Sequence, residues 1–178
     1  MIAYTLLILL VAAERLAEVA LSRRHLAWAR RRGGVEYGRR HYPGFVAVQA
    51  VLLTGAPLEV WLLHRPFVPA LGWPMLTVAV LAQALRWWCI ASLREQWNTR
   101  VVTVPGLPLV DRGPYRLLRH PNYVAVVAEG VALPLVHTAW LTASVFTVAN
   151  LGMLAVRLRV ENAALRQAPP AEAAQSAR

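Results

Sequence analysis

Apolar runs separated by arginine-bearing gaps make up most of this chain. Residues 2–21 are almost wholly apolar, enough as a helix to cross about 30 Å of hydrocarbon. With no basic stretch before the run and no small-x-small cleavage site after it, a retained transmembrane helix is predicted. Residues 42–63 predict a second span, loosened by Gly55 and Pro57, and residues 72–93 a third. Residues 123–136 are apolar but short. With a turn at His137-Thr138 and a returning run over 140–156, they predict half of a helical hairpin whose second helix continues to Leu165. Between the third and fourth runs, residues 94–120 show no helical period and hold Pro105, Pro108 and Pro114. Loops this long are usually functional or disordered, and the valines and leucines here argue against disorder. The expected fold class is all-α: an integral membrane protein of about five transmembrane helices, the last two forming a helical hairpin. Three parts follow: residues 1–93 with a basic loop over 22–41, residues 94–165 with a second loop and the hairpin, and a disordered tail over 166–178.

Composition supports the membrane reading. Hydrophobic residues make up 57% and charged residues 16%, against roughly a quarter charged in a soluble domain. The 19 basic residues are all arginine and the net charge is +10. Nucleic acid would explain such a charge, but these arginines sit in the gaps between apolar runs, the pattern of positive cytoplasmic loops. Residues 22–41 hold seven, residues 94–120 five and residues 157–178 four, whereas the opposite side holds Arg65 alone. The N-terminus is therefore expected outside, with both loops and the C-terminus cytoplasmic. Residues 22–32 are expected to form a basic helix on the membrane surface, with Leu26 and Trp28 toward lipid and Gly33-Gly34 ending it. The lone Cys89 reads as a buried apolar residue.

Ionisable residues inside the runs are few: Glu14, Arg15 and Glu18 in the first, Glu59 in the second, Arg86 in the third and Glu129 in the fourth. Such groups face the bundle interior and pair with one another. Arg86 is expected to pair with Glu59 or Glu129.

The least generic stretch is Gly113-Pro114-Tyr115-Arg116-Leu117-Leu118-Arg119-His120-Pro121-Asn122-Tyr123. Pro121 reads as the first residue of a helix, where its missing N–H costs nothing, and His120 stands near the cap. A helix start beside Arg119 and His120 suits a carboxylate or phosphate. Arg157 and Glu161 lie four apart on one face of the last helix, on the same predicted side. Two regions distant in sequence can then share one pocket.

Taken together, Leu109-Val110, Gly113-Pro114-Tyr115, Arg119-His120-Pro121-Asn122-Tyr123 and Arg157 with Glu161 resemble the isoprenylcysteine carboxyl methyltransferase family over residues 97–165. The first half, including Glu14-Arg15-Glu18 and the stretch from Glu36 to Pro43, is closer to a short bacterial branch. Some members of that branch lie beside type III polyketide synthases and resemble O-methyltransferases of alkylresorcinols and alkylpyrones. The resemblance implies S-adenosylmethionine as cofactor, contacted by Leu107, Pro108, Leu109, Val110, Tyr115, His120, Pro121, Asn122, Tyr123 and Glu161. It implies that Arg119 and Arg157 face or orient the methyl acceptor, and it makes Arg119 and Glu161 the candidate catalytic residues. A polyketide synthase becomes a possible functional neighbour, membrane lipid the surroundings, and a lipophilic small molecule the acceptor. Two departures bear on that acceptor. Asn162 stands where the family usually has a second acidic residue, and the C-terminal extension of the eukaryotic enzymes is absent. Both favour a small amphiphile over a prenylated protein.

The chemistry implied is in-line displacement at a sulfonium methyl, for which a protein supplies alignment and electrostatics. A carboxylate acceptor is already ionised and needs only orientation. A phenol, with a pKa near 10, must lose a proton, and either Glu161 or His120 is then the base. Other readings from this sequence are carboxyl methylation of isoprenylcysteine-like acids, phospholipid amine methylation, an NADPH-dependent membrane reductase with a similar Arg-His-Pro-Tyr pattern, and a non-enzymatic membrane protein.

Overall fold

The computed structural model describes residues 2–108 and 110–167. Five helices carry the chain: α1 (Ile2–Arg30), α2 (Tyr42–Leu62), α3 (Pro69–Leu93), α4 (Pro121–Leu135) and α5 (Trp140–Gln167). Two three-residue strands, β1 (Val35–Tyr37) and β2 (Val101–Thr103), pair antiparallel with Glu36 opposite Val102. The all-α class holds with this one small sheet added. The expected tail over 166–178 is corrected at its start, since Arg166 and Gln167 belong to α5; residues 168–178 lie outside the described residues.

Among the described residues, three helical stretches are long and apolar enough to cross a membrane: Arg39–Leu62, Pro69–Gln96 and Trp140–Glu161. The expectation of about five spans is thus met for three. Helix α1 has the length but carries Glu14, Arg15 and Glu18 in its apolar part, and α4 has 15 residues.

No break separates the first apolar run from the basic stretch after it. Helix α1 continues to Arg30 because no glycine or proline interrupts it. The chain leaves the helix at Gly33, at φ 75, where the Gly34 N–H donates to the Ala29 carbonyl at 2.9 Å. This left-handed exit is a conformation glycine adopts without strain. The separate surface helix over 22–32 is therefore corrected to the last turns of α1. Leu26, expected toward lipid, is buried, and Trp28 lies under the Arg32 guanidinium at 4.3 Å.

Helix α4 packs along α3 and α5, while α2 packs on α5. Small residues permit the approach: Ala125 and Ala132 are fully buried, and a side chain at Gly130 would collide with the Phe146 ring. At one end, Tyr4, Ile8 and Val11 of α1 meet Ala56, Val60 and Leu133 in an apolar core. Glu59 belongs to that end. It pairs with Arg65 at 2.9 Å and accepts from the Leu141 and Thr142 N–H groups at 3.2 and 2.7 Å, capping α5 from across the bundle. Glu59 is accordingly not the partner of Arg86.

Arg86 instead meets Glu18 of α1, Nε to Oε1 at 2.5 Å and Nη2 to Oε2 at 2.7 Å, with Glu129 farther away at 3.9 Å. Arg15 donates to the same Glu18 at 2.7 Å and to Glu129 at 3.1 Å. Two arginines and two carboxylates from three helices neutralise one another in the interior. Glu14, one turn from Glu18, is half-buried and accepts from Gln83 and Trp87 of α3.

Candidate functional site

Pro121 is the first residue of α4 and His120 its cap residue, with no side-chain hydrogen bond at the cap. The approach to this helix start is fixed by Gly113, at φ 59 and packed against Ser92 and Trp88 of α3 so closely that a Cβ would meet the Ser92 side chain. Only glycine suits both demands. Arg112 anchors the same turn by donating from Nε to the Ser92 carbonyl at 2.7 Å.

Across from the helix start stands the far part of α5. Arg157 and Glu161, one turn apart, both reach Tyr123. The Arg157 Nε donates to the Tyr123 hydroxyl at 3.0 Å, and that hydroxyl donates to Glu161 Oε2. His120 stacks on the Tyr123 ring, centroids 5.2 Å apart, with Nδ1 3.8 Å from Glu161 Oε1. Arg157 also donates from Nη1 to the Thr99 carbonyl at 2.7 Å. Arg119 is exposed and makes no ion pair or side-chain hydrogen bond among the described residues. Burial pushes the Tyr115 phenol well above its usual range, with Cys89 and Glu161 adding to the effect. Tyr115 therefore stays neutral and acts as an apolar face with a hydrogen-bonding tip.

Two chambers meet here. One, of about 360 Å³, is lined by Val110, Tyr115, Arg119, His120, Asn122, Tyr123, Arg157 and Glu161, together with Trp97 to Thr103 apart from Thr99. The other, of about 380 Å³, is mostly apolar and runs between α1 and α2 past Leu16, Val19, Phe45, Val46 and Leu53 to Arg15, Glu18 and Arg86. Trp97, Asn98, Asn122, Tyr123 and Arg157 line both, so they form the partition. Two buried polar atoms in it, Trp97 Nε1 and Asn122 Oδ1, have no hydrogen-bond partner among the described residues. Unpaired buried groups of this kind are costly without a ligand or water.

Eight of the residues singled out in the sequence line the polar chamber. Leu107 and Pro108 are exposed and do not line it, Pro121 is buried beneath the helix start, and Leu109 lies outside the described residues. Sequence reasoning missed Trp97, Asn98 and Arg100. Helix α1 holds this segment: the Ser22 hydroxyl donates to Asn98 Oδ1 at 2.7 Å and accepts from the Thr99 N–H at 3.1 Å, and His25 Nδ1–H donates to the Trp97 carbonyl at 2.7 Å. The polar run Gln96 to Arg100 directly after an apolar helix was the available signal.

The polar chamber fits S-adenosylmethionine in charge and size. Arg119, His120 and the uncapped helix start are donors for a carboxylate. Glu161 suits an amine or ribose hydroxyls, and Tyr115 with Val110 suits a flat heterocycle. Its volume falls within the ~300–1,000 Å³ usual for small-molecule sites.

The model of the isoprenylcysteine carboxyl methyltransferase (ICMT) family matches residues 75–167. A Bacillus subtilis protein named "Uncharacterized protein YpbQ" is 33% identical over 165 residues, covering 92% of this chain and 97% of that protein. A Haemophilus influenzae "Uncharacterized protein" is 25% identical over 158 residues, covering 87% and 90%. No solved structure matches this chain.

Proposed function

This chain belongs to the isoprenylcysteine carboxyl methyltransferase family, and we propose that it moves a methyl group from S-adenosylmethionine to the oxygen of a lipophilic small molecule. The family is one of methyltransferases, and three apolar helices mark a membrane protein. The observation that carries the reading is the pair of chambers: one charged and polar, one apolar, similar in volume, sharing a wall of Asn122, Tyr123 and Arg157. A charged methyl donor and a greasy acceptor have opposite solvation needs, and methyl transfer requires them in contact along one line.

In this reading Arg119 serves the donor and not the acceptor, because it lines the polar chamber alone: with His120 and the start of α4 it holds the donor's carboxylate, while Glu161 and Tyr115 hold its amine, ribose or adenine parts. S-adenosylmethionine supplies an electrophilic methyl group and departs as a neutral thioether. The acceptor oxygen stands at the partition. For a phenolic or pyrone acceptor, its O–H donates to the Tyr123 oxygen while the Tyr123 hydroxyl passes its own proton to Glu161. The phenol loses a proton, Tyr123 is unchanged and Glu161 becomes neutral. Arg157, donating to the Tyr123 oxygen, stabilises the negative charge that develops in between. We take a phenolic or pyrone polyketide lipid as the favoured acceptor because this relay has no task when the acceptor is a carboxylate.

We further take α1 and α4 as membrane-embedded, giving about five spans, with the N-terminus outside and the chambers on the cytoplasmic side. The charges of α1 support this: Arg15 and Glu18 are paired inside the bundle, so they need not face lipid.

The test is transfer of labelled methyl from S-adenosylmethionine in membranes containing the protein, with alkylresorcinol, alkylpyrone and farnesylcysteine offered side by side. Label in a phenolic or pyrone lipid, lost in Arg119→Ala and Glu161→Ala, is the expected result. Label in farnesylcysteine alone would replace the phenol with a carboxylate. No label and no donor binding would overturn the methyltransferase reading.

A further inference from the structure

The segment joining the turn at Gly113 to helix α4 contains a feature that the two chambers do not use. Leu117 is 78% exposed, among the least covered large apolar side chains of the described residues, and Leu118 beside it is 45% exposed. The depth of this segment follows from its neighbours. Gly113 packs against the Trp88 indole, with Nε1 3.0 Å from the position of a Cβ. Arg112 is bonded to the Ser92 carbonyl. Trp88 and Ser92 lie in the last turns of α3, one of the apolar spans. Trp88 is itself half exposed, as tryptophans are at a membrane–water boundary. The turn is therefore strapped to the side of a spanning helix at boundary depth, and α4 begins directly after it. Arg112 and Arg116 are exposed beside the two leucines, facing a single acid, Asp111.

From this placement we infer that residues 112–118 form an interfacial wedge that binds anionic lipid. Leu117 and Leu118 enter the acyl boundary, while Arg112 and Arg116 pair with headgroup phosphates. The inference rests on the membrane placement proposed above. A leucine at this depth is stable only against lipid or another apolar surface, and two arginines beside it select negative headgroups. The wedge continues directly into Arg119 and His120, which line the polar chamber. Lipid contact thereby sets the position of the chamber's rim, and the surrounding leaflet becomes part of the site.

The experiment uses the full protein in lipid nanodiscs, with an environment-sensitive fluorophore on Leu117→Cys. Native Cys89 is fully buried, so labelling is selective. The expected result is quenching by lipids brominated on their acyl chains and little quenching by aqueous iodide. The quenching should deepen as phosphatidylglycerol replaces phosphatidylcholine. Arg112→Gln with Arg116→Gln should remove that dependence on phosphatidylglycerol, each arginine being worth about a fivefold preference. Three results would overturn the inference. The first is a label quenched by iodide alone. The second is chain quenching indifferent to headgroup charge. The third is a label shielded from both quenchers in discs holding two copies and freed in discs holding one, which would assign the patch to a second copy of this chain. None of these readings depends on methyl transfer, so they stand apart from the fate of the proposed activity.

Discussion

Two clusters of arginine and glutamate lie within this bundle, and the contrast between them separates structure from chemistry. In the first, Glu18 accepts from both Arg15 and Arg86, Glu129 accepts from Arg15, and the two carboxylates are 2% exposed. In the second, Glu161 and His120 are 28% and 27% exposed, Glu161 is engaged by a tyrosine, and Arg119 nearby has no partner among the described residues. The composition is alike in both; the degree of satisfaction differs. Buried ions must be matched to be tolerated, and matching leaves little free capacity: in the first cluster Arg15 Nε and Arg86 Nη1 are the buried nitrogens without a hydrogen-bond partner among the described residues. The second cluster, with Glu161 and His120 each more than a quarter exposed, keeps more of that capacity, although both clusters border a chamber. Charge inside an apolar bundle is thus no sign of function by itself.

The largest effect should come from breaking the closed cluster. Glu18→Ala leaves Arg15 and Arg86 without their shared carboxylate, a loss of roughly 3–5 kcal/mol for a buried pair. Folded yield and thermal midpoint in detergent should fall sharply. A variant that melts like the parent would mean that Glu18 is solvated and the cluster is not closed.

The open cluster should respond in the opposite manner. Glu161→Gln keeps size and hydrogen bonding but removes the charge, so stability should shift by less than about 1 kcal/mol. Methyl transfer to a phenolic acceptor should drop by about a hundredfold, the scale for losing one preorganised polar group. Parallel measurement of melting and transfer checks it. Equal losses in both would erase the distinction between the clusters.

What the sequence revealed of all this depended on how local each determinant is. Pro121 as a first helical residue follows from proline chemistry alone, and the shared face of Arg157 and Glu161 follows from helical spacing. The boundaries of α2 and α3 follow from composition. The structural unions of distant segments did not show. Strands β1 and β2 are three residues each, too short for a period of two to be visible, and they pair across more than sixty positions. The hold of Ser22 and His25 on residues 97–99 is equally remote, which is why Trp97 and Asn98 escaped notice. Arg86 had several acids available in other runs, and the placement of the α1 side chains opposite α3 chose Glu18. Hydropathy said that charges were inside, whereas only geometry said which ones met.

The smallest effect concerns the sheet that ties the first basic loop to the polar chamber, where a third ionic group lies between the two extremes. Glu36 pairs with Arg100 at 2.5 Å, with Arg30 at 3.1 Å and with Arg39 at 3.2 Å. Burial pushes its carboxyl up, but the hydrogen bond and charge of Arg100, followed by Arg30 and Arg39, outweigh it and hold the pKa below the ordinary 4.5. A depressed carboxyl stabilises the folded form at every pH above its unfolded value, and that contribution fades as pH falls through the lower folded value. Between pH 7 and 5 the sheet should therefore be unchanged. Below about 4.5 the amides of Val101 to Thr103 should lose protection in hydrogen exchange before those of α3 do, because Glu36 is shed while the helical bundle stays intact. Glu36→Gln should show the weakened protection already at pH 7 and no further acid step. If parent and variant lose protection together at the same pH, the sheet is held by its backbone pairing, and the Arg100 side chain in the polar chamber is positioned without Glu36.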